Sequence, residues 1–492
     1  MLDVGCMHPA LNKFKNIIMR LIPIYSWTRG VLGFNKRSKR LSEQPWAQGV
    51  LLLICVGVAM LLANLPLTKD LYRDFLNTSV TLHLQSPDGQ VDWLFPRDMT
   101  IEKFINDILM VIFFFTVGLE IKREVAHGEL SSMKKALLPV IAAFGGVVMP
   151  ALIFTLVNHG TASASGWGIP TATDIAFAVC ILSVLGDKVQ VSLKVFLTAL
   201  AIADDLIAIL VVALFYGGHI NVALLAVSAA VILLALLLRR IGEKHVALYL
   251  ALAIVVWVLF YYSGIHATMS GVVMAFIIPS QPRYSKSFVM HKLPRFVREL
   301  KDYEAIDEEC AFPNGPQRHV LRRINHTAYG SFDMSYRVEH ALSPWVNFLI
   351  MPIFALANAG VEITDPSYFN IFQWTPAAGS VSMGIFFGLL LGKPVGITLS
   401  SFIAIKTKLC TMPDRATWPM FIAVACLGGI GFTMSVFVDT LSFGDQLPQT
   451  TEALRDAGKI AILMGSLCAG IVGSVLINLV HNRQKNESGI IA

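Results

Sequence analysis

The sequence predicts an all-α polytopic membrane protein of about twelve transmembrane helices with inverted repeats, two interrupted helices and a small extracytoplasmic β-hairpin. Three observations carry this prediction: an apolar surplus that no soluble globule buries, apolar runs of bilayer length, and glycine or polar breaks in two of those runs. Of the 492 residues, 55% are hydrophobic and 15% are charged, and the mean hydropathy is +0.63. A bilayer accepts that much apolar surface; water does not.

The apolar runs match the roughly 30 Å of hydrocarbon that about 20 helical residues cross with every backbone hydrogen bond satisfied internally. They fall at residues 46–64, 104–121, 136–157, 169–185, 191–216, 222–238, 245–262, 264–279, 342–361, 381–405, 418–440 and 458–479. Residues 1–45 are then an N-terminal extension, 46–480 a single membrane domain and 481–492 a tail. Lys and Arg crowd into alternate connections, including Lys36-Arg37-Ser38-Lys39-Arg40, Lys122/Arg123, Arg239/Arg240, the segment 281–340 and Lys406/Lys408. The opposite set, 158–168, 217–221 and 362–378, has none. Cytoplasmic segments are the basic ones, so both termini are expected in the cytoplasm. Lys69, Arg73, Arg97, Lys103 and Arg455 weaken that bias without reversing it. The net charge of +6 follows from the bias, and nucleic-acid binding is not expected.

The N-terminus has no short apolar core before a small-residue cleavage site, so no cleaved signal peptide is expected. The seven cysteines are scattered with no CxxC pair, which predicts neither a disulfide framework nor a zinc site. Residues 79–93 alternate polar and apolar side chains around Ser86-Pro87-Asp88-Gly89, the pattern of a β-hairpin. So small a hairpin needs a partner surface, and subunit pairing into a homodimer is the expectation. The segment 281–340 mixes both charges with Pro and Gly and has no long apolar run, and reads as a solvated cytoplasmic loop.

Two crossings are interrupted at corresponding places in the two halves, one at Gly166-Trp167-Gly168-Ile169-Pro170-Thr171-Ala172-Thr173-Asp174 and one at Gly428-Gly429-Ile430-Gly431-Phe432-Thr433. Paired breaks of this kind mark a binding site in inverted-repeat transporters. Charges inside crossings cost at least about 2.5 kcal/mol each, so each calls for a partner or a function. Asp174, Asp204, Asp205 and Lys393 are the candidates. Asp204 and Asp205 lie mid-helix and point about 100° apart, so they occupy different environments. Buried carboxylates are neutralised by protons or by a cation, and a hard ion takes oxygen ligands such as Asp205, Asp174 and Thr173 supply. A site that takes either, opening alternately to each side, exchanges them.

Lys393 follows Gly384-x3-Gly388-x3-Gly392, glycines that line one helix face for close packing. Packing does not explain the lysine itself. It pairs with Asp204 or lies against the negative ends of two half-helices, with Asp174 near their positive ends. A structural ion pair or a snorkelling lysine is the plainer alternative. The Gly-x3-Gly-Lys-Pro spacing is no Walker A loop, which excludes ATP coupling of that kind. Glu120, Lys122, Arg123 and Glu124 end one crossing and serve equally as a solvated helix end. His266 is either a hydrogen-bonded interior histidine or a pH-responsive group.

With these residues in view, the chain resembles NhaA-type sodium/proton antiporters from about Trp46 to the last crossing. The matching stretches are Val117-Gly118-Leu119-Glu120-Ile121-Lys122-Arg123-Glu124, Thr171-Ala172-Thr173-Asp174, Ala201-Ile202-Ala203-Asp204-Asp205, Gly264-Ile265-His266-Ala267-Thr268, Gly392-Lys393-Pro394 and Gly429-Ile430-Gly431-Phe432-Thr433. This family is itself a standard case of the inverted-repeat rule used above. The resemblance implies broken helices crossing at mid-membrane, with Gly429 and Gly431 in one break and Thr173 and Asp174 in the other. It implies Asp205 as the cation-binding acid, Asp204 as its partner and Lys393 facing Asp204, the transported sodium held by Asp205, Asp174 and Thr173. It further implies a pH-regulating cluster of Glu120, Arg123, Glu124, Glu339 and His340, to which His266 is added here.

The implied activity is electrogenic exchange of cytoplasmic Na+ or Li+ for external protons across a bacterial inner membrane, by a non-enzymatic protein with no cofactor. Ser343-Pro344-Trp345 replaces the family's His-Pro-Trp, and the first 45 residues have no counterpart, so no pH set point is carried over. Two other functions fit parts of the pattern. A sodium-coupled solute symporter shares the broken-helix plan, and an intramembrane aspartyl protease also uses two acids. The protease needs acids converging from different helices in a Gly-x-Gly-Asp context, which neither Asp174 nor Asp204-Asp205 has.

Overall fold

The computed structural model describes residues 45–80, 82–85, 92–95, 99–217, 221–243, 245–282, 284–304, 314–363, 371–372, 380–443 and 448–489. The N-terminal extension before residue 45 and the turn at Ser86-Pro87-Asp88-Gly89 lie outside them, as do residues 305–313 of the long connection and most of 362–378.

The described residues are overwhelmingly helical. In chain order the helices are α1 Pro45–Asn64, α2 Lys69–Asn77, α3 Met110–His127, α4 Met133–Asn158, α5 Ile175–Leu185, α6 Val191–Phe215, α7 Val222–Ile241, α8 Val246–Ser263 and α9 Met269–Ile277. They continue with α10 Lys286–Glu304, α11 Gly315–Gly330, α12 Met334–Trp345, α13 Met351–Asn358, α14 Val381–Phe387, α15 Lys393–Lys406, α16 Trp418–Leu427, α17 Phe432–Ser442 and α18 Pro448–Gly489. Single π-helical turns join α12 to α13 at Val346–Ile350 and α14 to α15 at Gly388–Gly392, and a 3-10 helix, Ala162–Thr171, precedes α5. Strands β1 Leu82–Gln85 and β2 Asp92–Phe95 pair antiparallel, Leu82 opposite Phe95 and Gln85 opposite Asp92.

Ten helical stretches among the described residues are long and apolar enough to cross a membrane, and eleven with the pair α16 and α17, which bend by 50° at their break. This is a polytopic membrane protein, and its surface agrees: Leu156 is 79% exposed and Leu233 65% exposed, on faces that only lipid covers.

Two expectations differ from the structure. The run 264–279 forms only the nine-residue helix α9, which rises about 13 Å and does not span hydrocarbon by itself. Turns occupy 264–268 because Gly264 takes a left-handed backbone, φ +85°, and ends α8. The segment 281–340 is not a plain loop, since its described residues form α10, α11 and the first half of α12. Its apolar residues are spaced for helix–helix contact, not for lipid. Phe296, Val320 and Ile324 form a small core of their own, and α11 opens with a capping box between Asn314 and Gln317.

The glycine face of α14 and α15 lies against α4. A Cβ at Gly392 would come 2.9 Å from the Pro150 Cα, and one at Gly396 would meet the Gly145 carbonyl. Only glycine permits that approach, and it carries Lys393 into the interior.

Candidate functional site

The acids and the lysine enter the interior on helices whose other faces are apolar. On α6, Asp204 and Asp205 follow Ala201, Ile202 and Ala203, all buried, and are themselves 1% and 2% exposed. Lys393, also 1% exposed, hydrogen-bonds the Asp204 carboxylate through its ammonium and donates a second bond of 2.7 Å to Thr173 Oγ1. Thr173 Oγ1 in turn donates to the Gly428 carbonyl at 2.9 Å, the C-cap of α16. The lysine thus faces a carboxylate and, through one hydroxyl, the negative end of a half-helix.

Three further bonds stitch the two breaks together, and a fourth caps α5. The Asp174 backbone N–H donates to the Ile430 carbonyl at 2.7 Å. The Asp174 side chain accepts from the Phe177 N–H at 3.2 Å, capping α5, and from the Thr433 N–H at 3.0 Å; the Thr433 hydroxyl also donates to it. Phe177 and Thr433 lie in the first turns of α5 and α17. One carboxylate therefore sits at the positive ends of two half-helices, where an anion is stabilised without a cationic side chain.

Thr173 and Asp174 have their oxygens engaged in this conformation. Asp204 Oδ1 and Asp205 Oδ1 do not: both are buried without a hydrogen-bond partner. Asp205 has no ion-pair partner within 4 Å among the described residues, and the charges acting on it are Asp204, Asp174, Glu120 and Lys393. Such an orphaned acid costs free energy until a proton or a cation completes it. One turn along α6, Ala208, Ile209 and Val212 meet Phe114, Met434 and Phe437 around a void of about 10 Å³. That side of the acids is lined almost entirely by apolar side chains, with room for no more than about one water.

Four of the six residues expected to govern pH response meet at the end of α3. Arg123 pairs with Glu339, and lies 3.3 Å from Glu124 and 3.9 Å from Glu120. The other two lie elsewhere. His340 is exposed, its ring stacked on Tyr336 at 5.1 Å. His266 bonds the Tyr216 carbonyl at the far end of α6. Outside the spans, Tyr72 on α2 donates to the Leu356 carbonyl at 2.6 Å, and burial pushes its phenol up, keeping it a donor.

Sequence reasoning missed Asp439. It is 0% exposed on α17, neither oxygen has a hydrogen-bond partner, and the charges of Lys459 and Arg455 act on it from α18. The signal was an acid in the apolar run Phe432-Thr433-Met434-Ser435-Val436-Phe437-Val438-Asp439. Its place near the end of that run resembled an interfacial charge. Also missed was the pair Asn106 and Asn358, which exchange amide bonds of 3.0 and 2.8 Å between the segment before α3 and the end of α13.

The family model described as "Na+/H+ antiporter 1" matches residues 39–477. Among curated relatives, the Na(+)/H(+) antiporter NhaA of Oleidesulfovibrio alaskensis is 39% identical over 441 residues, 90% of this chain and 93% of that protein. The Na(+)/H(+) antiporter NhaA 2 of Flavobacterium johnsoniae is 40% identical over 442 residues, 90% and 92% of the two chains. The Na(+)/H(+) antiporter NhaA of Salmonella arizonae is 36% identical over 439 residues, 89% and 97%. Matches of this length and identity, on a helical membrane fold with two acids and a lysine at stitched helix breaks, make the chain a member of the Na+/H+ antiporter family.

Proposed function

We propose that the protein exchanges cytoplasmic Na+ or Li+ for external protons in a bacterial inner membrane, with Asp205 as the acid that binds either ion. The observation that carries this is a buried Asp205 oxygen without a partner, beside an Asp204 already held by Lys393. The two acids have different occupations, and Asp205 is the one left to be neutralised. A proton or a hard cation does so equally in kind, and the two compete. Thr173 and Asp174 hold the breaks in register, and release of the Thr173 or Asp174 bonds frees further oxygens for the ion. Gly429 and Gly431 keep the second break unwound.

The chain crosses twelve times in this reading, with α9 and the turns before it forming a partly unwound eighth crossing. The 3-10 helix with α5, and α16 with α17, are the two broken crossings of an inverted repeat. Both termini are cytoplasmic. With more protons than sodium ions moved per cycle, each net charge gains about 2.3 kcal/mol per 100 mV. The Arg123, Glu120, Glu124 and Glu339 cluster governs pH response, with His340 and His266 outside it. β1 and β2 form an extracytoplasmic hairpin that pairs two subunits.

The direct test is proton release on adding NaCl to the purified protein in weakly buffered detergent, with no organic solute present. Release that saturates with sodium supports competition at one site. Release that requires an organic solute favours a symporter, and no release contradicts the proposal.

A further inference from the structure

The helical pair α10 and α11 takes no part in the exchange site, yet it carries a built concavity. Its helices are held together at the root, where the Tyr284 N–H donates to the Gly330 carbonyl at 3.0 Å and Pro282 bridges Asp333. Between them lies a groove of about 500 Å³, with Tyr284, Phe288 and Lys292 on one wall and His319, Arg322 and His326 on the other. No acid lines it. Across the two helices, eight Lys and Arg stand against three Asp and Glu.

The cations differ in occupation. Arg323 lies 4.3 Å over the Phe296 ring and pairs with Glu299 at 3.0 Å, so it holds the two helices together. Lys292 and Arg322 have no carboxylate within 4 Å among the described residues. The Tyr284 hydroxyl and His326 Nδ1 are 3.3 Å apart and close one end. A ring of cationic and hydrogen-bonding groups with no counter-charge among the described residues is complementary to a phosphate.

Position and rim decide which phosphate. Thr327, which also lines the groove, stands seven residues before Met334, the first residue of a helical stretch long and apolar enough to cross a membrane. The groove therefore opens near the level of lipid head groups. On its wall Phe288 is 39% exposed, an apolar group that a soluble anion does not need and an acyl chain covers. We infer that this groove binds the phosphate head group of an anionic phospholipid, with Lys292 and Arg322 as its main contacts and Phe288 against a lipid chain.

The test uses the full-length protein in nanodiscs of phosphatidylcholine containing a titrated photoactivatable phosphatidylglycerol, with crosslinks mapped to peptides by mass spectrometry. Crosslinks to residues 284–327 are expected in the wild type. In the double variant Lys292→Gln and Arg322→Gln, the apparent affinity at those peptides falls roughly thirtyfold, about fivefold for each charge removed. Crosslinks elsewhere stay as they were, and Lys292→Arg with Arg322→Lys restores the lost ones. Unchanged crosslinking in the Gln variant overturns the inference. Glycerol phosphate, the same head group without chains, is expected to compete only weakly; displacement of the lipid at equal concentration shows a soluble-anion site and overturns the lipid assignment.

Discussion

Lys393 and Asp204 are a buried pair, 1% and 2% exposed at their side chains, and each is tolerable only because of the other. Removing one partner leaves an uncompensated charge in a dry interior. Lys393→Met is expected to destabilise the protein by about 3–5 kcal/mol, and adding Asp204→Asn to recover most of it. Thermal unfolding of the single and double variants in detergent measures this; equal stability of wild type and Lys393→Met contradicts it. At this scale the sequence was informative about which charges enter the interior and less about whom they meet. A charge in an apolar run declares itself, so Asp174, Asp204, Asp205 and Lys393 were read as interior charges, and all four are buried. The choice of Lys393 between Asp204 and the half-helix ends depended on helix register, which no local pattern encodes. The structure has it bonded to Asp204 and, through Thr173, linked to the end of α16. Asp439 escaped because an acid near the end of an apolar run looks like one that reaches water.

The elements deliver these side chains through close helix contacts. The Gly-x3-Gly spacing foretold one such contact, and α4 is its partner. Gly396→Val places a branched side chain against the Gly145 carbonyl, which belongs to backbone and cannot move aside. A loss of about 1–3 kcal/mol or more is expected, read as a lower melting temperature and a broadened size-exclusion peak. Unchanged behaviour of Gly396→Val contradicts the packing described. Helices of bilayer length were legible because they are long. α9 was read as a full crossing because the apolar run begins in the turns before it, and α10 and α11 were missed because a short amphipathic face falls below the window that reveals a crossing. The capping residues Asn314 and Gln317 were the available signal for α11.

For the whole molecule, apolar packing one turn along α6 from the orphaned acid is what the proposed exchange requires of a conformation closed on that side. Composition alone indicated a membrane protein, and the paired breaks indicated where to look. The proposed subunit pairing would rest on the ribbon β1–β2, since two strands are marginal without a partner surface. Deleting residues 82–95 is expected to convert a dimer into a monomer by light scattering in detergent, with exchange retained; a dimer that survives the deletion removes the hairpin from the interface. The central claim is that a single acid takes both ions. It is tested most directly by sodium-driven proton movement in proteoliposomes of the wild type and of Asp205→Asn. Exchange in the wild type and none in the Asn variant is the predicted result; wild-type exchange by Asp205→Asn contradicts the account.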